Sequence, residues 1–215
     1  MHDELLQFQM NDVWTSVLRL EGEHIIGTKW IFCNKTDEEG NVIHNKARLI
    51  AQGYSQMEGV DYDETFAPVA RMKSIRILLT LACQLKFKLY QMDVKTTFLN
   101  GLLKEDVYVA QPKGFIDPHF PNHLLYLKKA LYGLKQAPRA WYDRLTQYFV
   151  SHGFTRGKAD QTLFINREDG ELIMAQVYVD DIIFGSTKDE LAYGFSKLIQ
   201  AKFKTSMIKI GRAHV

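Results

Sequence analysis

Two acids, Asp180 and Asp181, interrupt the apolar run "QVYVDDIIFG" at residues 176–185. Adjacent carboxylates repel, and one takes up a proton unless cations sit beside them. Alternation along "MAQVYVDD" puts Ala175, Val177 and Val179 on one side of a strand and Gln176, Tyr178 and Asp180 on the other. A tight turn at residues 179–181 would hold both carboxylates at a hairpin tip. An all-oxygen site suits Mg2+, which keeps positions open for water and phosphate; an ordinary turn, in which Asp is favoured, is the alternative. A third acid, Asp93, ends the strand-like stretch "FKLYQMDV". If the two strands neighbour each other in one sheet, Asp93 comes beside Asp180, and three carboxylates could hold two magnesium ions about 3.5–4 Å apart, the arrangement for in-line attack on phosphate. One ion would then lower the pKa of an attacking hydroxyl and the other would neutralise the departing pyrophosphate. Val179 would occupy a turn position strained for a β-branched residue, so an unusual backbone angle is expected there.

The elements that must position these acids follow from periodicity. Residues 1–26 read as a lead-in, a short helix and a polar connection. Residues 28–51 read as a β-hairpin turning at 37–41, and residues 52–71 as loop. Over residues 73–85, Ile75, Leu78, Leu79, Ala82 and Leu85 recur at helical spacing and Ile77 and Leu81 add a second apolar stripe, which predicts a largely buried helix. Short strands are expected up to Asp93 and at 107–110, then a loop over 112–121. Pro138 suits the first turn of a helix running to about His152. Strands at 162–166 and 171–179 are joined by a turn at "REDG". A last helix opens with a capping box, Thr187 with Glu190, and buries Leu191, Phe195, Leu198 and Ile199. The fold class is α+β, an antiparallel sheet packed on helices.

Composition narrows the classes. The 215 residues are 46% hydrophobic and 24% charged, ordinary for a soluble globular protein, and the net charge of +2 permits a polyanionic partner without demanding one. Cys33 and Cys83 lack disulfide or zinc spacing, and reducing, cytoplasmic surroundings are the default. His119 and His123 are spaced for zinc but lack a third ligand, so they read as loop histidines. "IRILLTLAC" is shorter than the roughly 20 residues of a membrane span and contains Arg76, so no membrane partner is expected. The N-terminus lacks the basic and apolar regions of a signal peptide. Residues 210–215, "IGRAHV", read as the translation of a sequencing adapter and are expected to be a non-native tail.

Longer motifs carry a resemblance. "YVDD" at 178–181 looks like the catalytic box of reverse transcriptases. "KARLIAQGYSQMEGVDYDETFAPVAR", "LYQMDVKTTFLNG" and "LYGLKQAPRAWY" are together similar to the polymerase of copia-type long-terminal-repeat retrotransposons, over about residues 11–207. The resemblance implies RNA-directed DNA polymerisation: a primer 3′-hydroxyl attacks a deoxynucleoside triphosphate on an RNA or DNA template. It implies reverse-transcriptase fingers and palm over residues 27–209. Fingers would lie mainly at 27–85 with part of 112–140, and palm mainly at 86–111 and 140–207. It assigns Asp93, Asp180 and Asp181 to two Mg2+ ions, with Mn2+ as a substitute, and the Val94 carbonyl as a further ligand.

The same resemblance puts Phe98 at a steric gate against the ribose 2′-hydroxyl, although core packing is the ordinary fate of a Phe. Lys46 and Arg48 are assigned to the triphosphate, with a solvated strand face as the alternative. Tyr132, Gly133 and Lys135 fall beside the nucleotide, and Gln136, Arg139 and Tyr178 beside template or primer. Gly133 would allow close backbone approach. Thr97 departs from the family, which usually has Ala there, and adds a hydroxyl and a branched carbon to the nucleotide pocket. The family continues past this sequence into a palm hairpin, a thumb and ribonuclease H, with integrase upstream, in a cytoplasmic virus-like particle. Met1 then reads as internal to a polyprotein, and the truncated chain alone is expected to be weak or inactive. Three rivals stand: a catalytically silent nucleic-acid-binding remnant, a fragment without function, and another two-metal enzyme such as a nuclease. The last leaves "LYGLKQAPRAWY" unexplained.

Overall fold

The computed structural model describes residues 1–19, 21–168 and 170–210. In chain order the elements are α1 (His2–Met10), β1 (Trp14–Leu18), β2 (Ile25–Ile26), β3 (Thr28–Thr36), β4 (Val42–Ala51), α2 (Met72–Gln84), β5 (Leu89–Val94), β6 (Leu102–Val109), β7 (His123–Lys129), α3 (Ala137–Ser151), β8 (Thr155–Arg156), β9 (Leu163–Glu168), β10 (Glu171–Tyr178), β11 (Asp181–Ser186), α4 (Asp189–Lys202) and β12 (Thr205–Ile210), with short 3-10 turns at Gly53–Ser55 and Thr97–Asn100. They form two compact units, one of residues 1–66 and 98–141, the other of residues 67–97 and 142–215.

The first unit holds a four-stranded sheet, β1-β7-β6-β2, and the separate hairpin β3–β4. Its core gathers Phe8, Ile26, Leu49, Leu99, Val107, Leu127 and Leu131. The hairpin turns as expected: the Asp37 carboxylate accepts the backbone N–H groups of Asn41 (2.8 Å) and Glu39 (3.1 Å), and these bonds, Asn41's first, hold its carboxyl below the usual range. Residues 11–26 are a correction. The supposed polar connection supplies β1, paired along its whole length with β7, and β2, which runs parallel to β6. Strands of two to five residues are too short to show a period, and only their partners reveal them.

The second unit is a six-stranded sheet in the order β12-β5-β11-β10-β9-β8, with every neighbouring pair antiparallel. Register puts Tyr90, Phe164, Ala175 and Phe184 on one face. Phe195 of α4 and Phe149 of α3 pack there, with ring centroids 4.7 Å apart for both Phe184–Phe195 and Phe149–Phe164. Each such ring contributes about 1.5–3 kcal/mol on burial. The opposite face carries Leu89, Ile183, Met174 and Ile165, and α2 covers it through Leu78 and Ala82.

Two expectations are corrected in this unit. Helix α2 is not largely buried: Leu78 and Ala82 are, but Ile77 is 60% exposed and Leu79 38%, because only the narrow face of Leu78, Leu81 and Ala82 meets the sheet. The capping box does not form. Thr187 extends the β10–β11 ladder, its N–H donating to Leu172 O (3.0 Å) and its hydroxyl accepting from Leu172 N (3.0 Å). Helix α4 therefore starts at Asp189, after Lys188 with no side-chain cap, and its acids Asp189 and Glu190 suit the positive helix end. Ile210, the first residue of the expected tail, ends β12 opposite Leu89, a placement that leaves the origin of the tail untouched. Residues 211–215 of the expected tail, and residue 169 of the "REDG" turn, lie outside the described residues.

Candidate active site

Strand β11 lies between β10 and β5, and this arrangement gathers the acids. Asp181, not Asp180 as expected from the sequence, is the direct cross-strand partner of Asp93, a relation in which Cα atoms stand about 4.5–5.5 Å apart. Tyr178 is paired with Asp181 on the other side and Ser206 with Asp93, so these four residues form one row on one face of the sheet. That face is the one α2 covers further along, at Leu89 and Met174.

Between Tyr178 and Asp181 only Val179 and Asp180 remain to make the turn. Val179 has φ of +54°. A positive φ at the first central position alone follows the type II′ pattern, where Gly is normal. The strained angle expected from the sequence is present. Strain here persists because the flanks over-determine it: the strands pair up to the Tyr178–Asp181 rung, and the Asp180 carbonyl accepts the Val94 N–H at 2.8 Å. The tip is thereby tied to the end of the strand that carries Asp93.

The carboxylates are gathered but not arranged as a finished cage: among the described residues no three His, Cys, Asp or Glu side chains stand ready to hold a metal. Asp93 accepts from the Lys95 ammonium, both groups partly exposed, and from Ser206 Oγ at 3.4 Å. Asp181 Oδ1 accepts from Gln91 Nε2 at 2.8 Å. Asp180 is exposed at the tip. Carboxylates are hard oxygen donors of the kind that suit Mg2+ or Mn2+, and one of them, Asp93, has the Lys95 ammonium as its partner. The Val94 carbonyl accepts from Thr97 Oγ1 at 2.8 Å, and Thr97 is 3% exposed. The extra hydroxyl thus turns inward onto this carbonyl, which keeps its second lone pair.

All remaining candidates except Tyr178 lie in the first unit. Phe98 meets Tyr132 edge to face, centroids 5.0 Å apart, and the Arg48 guanidinium lies 5.4 Å from the centre of the Tyr132 ring. Lys46 stands opposite Cys33 in the hairpin and shares a strand face with Arg48. Gly133 makes the close approach expected of it: with φ of +93°, a Cβ there would fall 2.2 Å from the Ala51 carbonyl oxygen. Lys135 reaches Gln56 O and the Tyr62 hydroxyl, each at 3.2 Å. Arg139 binds Phe66 O at 3.1 Å and pairs with Glu64 at 3.2 Å.

Gln136, expected beside template or primer, is 2% exposed; its amide joins Gln56 at 3.0 Å and Asp61 O at 2.8 Å. In this structure it braces the loop after β4. The motifs single out none of the residues that touch the acids, Gln91, Lys95 and Ser206, nor His24, whose Nδ1 lies 2.7 Å from the buried Asp61 carboxylate. Gln91 and Lys95 each lie two positions from Asp93, and strand parity was the available signal. Nothing local marked Ser206 or His24.

An antiparallel sheet that sets an acidic hairpin tip beside an acid-bearing strand, in a chain of this length, narrows the class. Residues 11–213 match the family described as reverse transcriptase (RNA-dependent DNA polymerase), and the chain belongs to that family. It is similar to the retrovirus-related Pol polyprotein from transposon RE1 of Arabidopsis thaliana, 43% identical over 83% of this chain. It is also similar to that from transposon RE2 of the same plant, 45% identical over 74%, and to that from transposon TNT 1-94 of Nicotiana tabacum, 37% identical over 89%. These relatives are Pol polyproteins of copia-type transposons. The chain spans 12%, 11% and 15% of their respective lengths. Among the described residues no helix is long and apolar enough to cross a membrane.

Proposed function

We propose that this chain carries the nucleotidyl-transfer centre of a copia-type reverse transcriptase, extending a primer 3′-hydroxyl with deoxynucleoside triphosphates on an RNA or DNA template. The observation that carries the reading is the Asp93–Asp181 pairing, with the Asp180 carbonyl tied to Val94 N. Asp93, Asp180 and Asp181, with the Val94 carbonyl, would hold two Mg2+ ions, or Mn2+ in their place. Bound there, the ions would supply charge stabilisation at the attacking and leaving oxygens of the phosphoryl transfer.

The protein's own part is positioning and electrostatic pre-organisation. In this reading the six-stranded sheet belongs to the palm, and the β3–β4 hairpin to the fingers. Lys46, Arg48 and Lys135 bind the triphosphate, and Phe98, braced by Tyr132, excludes a ribose 2′-hydroxyl. Gly133 lets its loop lie against β4. Arg139 and Tyr178 meet the template–primer, mainly through phosphate and shape, since a polymerase must accept every sequence. Gln136 serves that surface indirectly, through Gln56. The wider setting would be a Pol polyprotein with integrase and ribonuclease H, in a cytoplasmic particle.

The test is primer extension on an RNA template with Mg2+ by the polyprotein that contains this sequence, beside its Asp93→Asn variant. Template-dependent extension lost in the variant is expected. Equal extension by both would refute the assignment, and salt-sensitive nucleic-acid binding without any extension would favour a silent binding remnant.

A further inference from the structure

The second acid of the tip has a partner that the reaction chemistry does not require. Gln91 sits two residues before Asp93 on β5 and so shares its face. Its direct partner across the ladder is Ile183, and Asp181 lies on the diagonal, a separation that a long side chain bridges. Gln91 Nε2 donates to Asp181 Oδ1 at 2.8 Å. We propose that Gln91 is a positioning residue of the acid cluster: its amide holds Oδ1 and so fixes the rotamer of Asp181, with Oδ2 left for the cation. This inference rests on the polymerase reading given above.

The neighbours of Gln91 make it suited to that task. Leu89, the next residue along the same face, is buried in the cluster beneath α2, and Ile183 packs partly against that cluster. The amide is therefore half-buried and projects from an anchored base. It is neutral, so it orients the carboxylate without discharging it, whereas Lys95 puts a competing cation on Asp93. The bond is not needed to hold the strands together. Backbone pairing already runs from Asp181–Asp93 to Gly185–Leu89. Partners that orient metal-binding carboxylates typically change affinity or activity by about 10–100-fold when removed.

The experiment uses the whole chain with Mn2+ alone as the probe, free Mn2+ being read by electron paramagnetic resonance during titration. Gln91→Met keeps the length and bulk and removes the donor. The expected result is Mn2+ binding weakened by about 10–100-fold, a thermal midpoint close to wild type, and no further weakening when Gln91→Met is added to Asp181→Asn. Unchanged affinity, or the same loss in both backgrounds, overturns the inference. If Gln91→Met fails to fold, Gln91→Asn, which keeps the amide but draws it back by one methylene, must give the same pattern or the inference falls. Asp93→Asn separates the two levels. If it leaves Mn2+ affinity unaltered, the polymerase reading fails and takes the inference with it; if it abolishes binding while Gln91→Met does nothing, only the inference fails.

Discussion

Asp93 and Asp181 face each other across the β5–β11 ladder, two acids on adjacent strands of one sheet. Like charges in direct cross-strand register destabilise a sheet, by roughly 0.2–1 kcal/mol. A fold that keeps them tolerates that penalty for what the pair does. Asp181→Asn should therefore abolish primer extension while leaving the protein as stable or more stable, by up to about 1 kcal/mol. Chemical denaturation of the purified variant checks this, and a clear loss of stability would mean that the acid is structural.

Val179 is the second place where stability is given up. Its φ of +54° lies in the left-handed region, which costs a β-branched residue about 1–3 kcal/mol. Val179→Gly removes the strain but adds chain entropy to the unfolded state. A net stabilisation of about 1 kcal/mol is expected, a midpoint higher by about 2–4 °C, together with slower extension from a looser tip. A lower midpoint would show that the Val side chain contributes more by packing than its backbone loses.

The gate proposed for Phe98 would act by bulk, with the ring set edge to face against Tyr132. Replacing Phe98 by Ala should raise ribonucleotide incorporation relative to deoxyribonucleotide by at least about tenfold, the discrimination that a small change in apolar volume commonly carries. Single-nucleotide incorporation with matched ribo- and deoxyribonucleoside triphosphates measures the ratio. An unaltered ratio returns Phe98 to the core.

Asp160 links Ser74 at the start of α2 to Thr162 and to Gln176 of β10. Burial opposes its ionisation, but hydrogen bonds from Ser74, from the Thr162 side chain and backbone, and from Gln176 outweigh it and hold the carboxyl below its ordinary value. A depressed folded value means stability that is present above the unfolded pKa and lost as pH falls through the folded one. Wild type should thus exceed Asp160→Asn in stability at neutral pH. The gap should narrow only below about pH 4, near the unfolded carboxyl value. Urea titrations across that range read the gap directly, and a gap that widened on acidification would contradict the assignment.

Much of this could be read along the chain. The β3–β4 hairpin with its Asp37 turn, the helical spacing of α2, the start of α3 near Pro138 and the strained Val179 all follow from patterns spanning a few residues. So do the acids at the ends of apolar stretches and the motifs that mark the family. Propensity, turn chemistry and periodicity are local, and a sequence displays them directly.

What the sequence could not display was register and burial. Gln136, just before α3, is enclosed by Gln56 and Asp61 of the loop after β4, a contact between segments 75–80 residues apart. That Asp93 faces Asp181, that Gln91 reaches the same carboxylate and that Thr187 joins a ladder instead of capping α4 all depend on which strand lies beside which, and at what offset. A one-residue slip would turn every one of these side chains to the other face. Long-range pairing and the burial of whole faces choose among such offsets, and those energies belong to the assembled sheet rather than to any stretch of the chain.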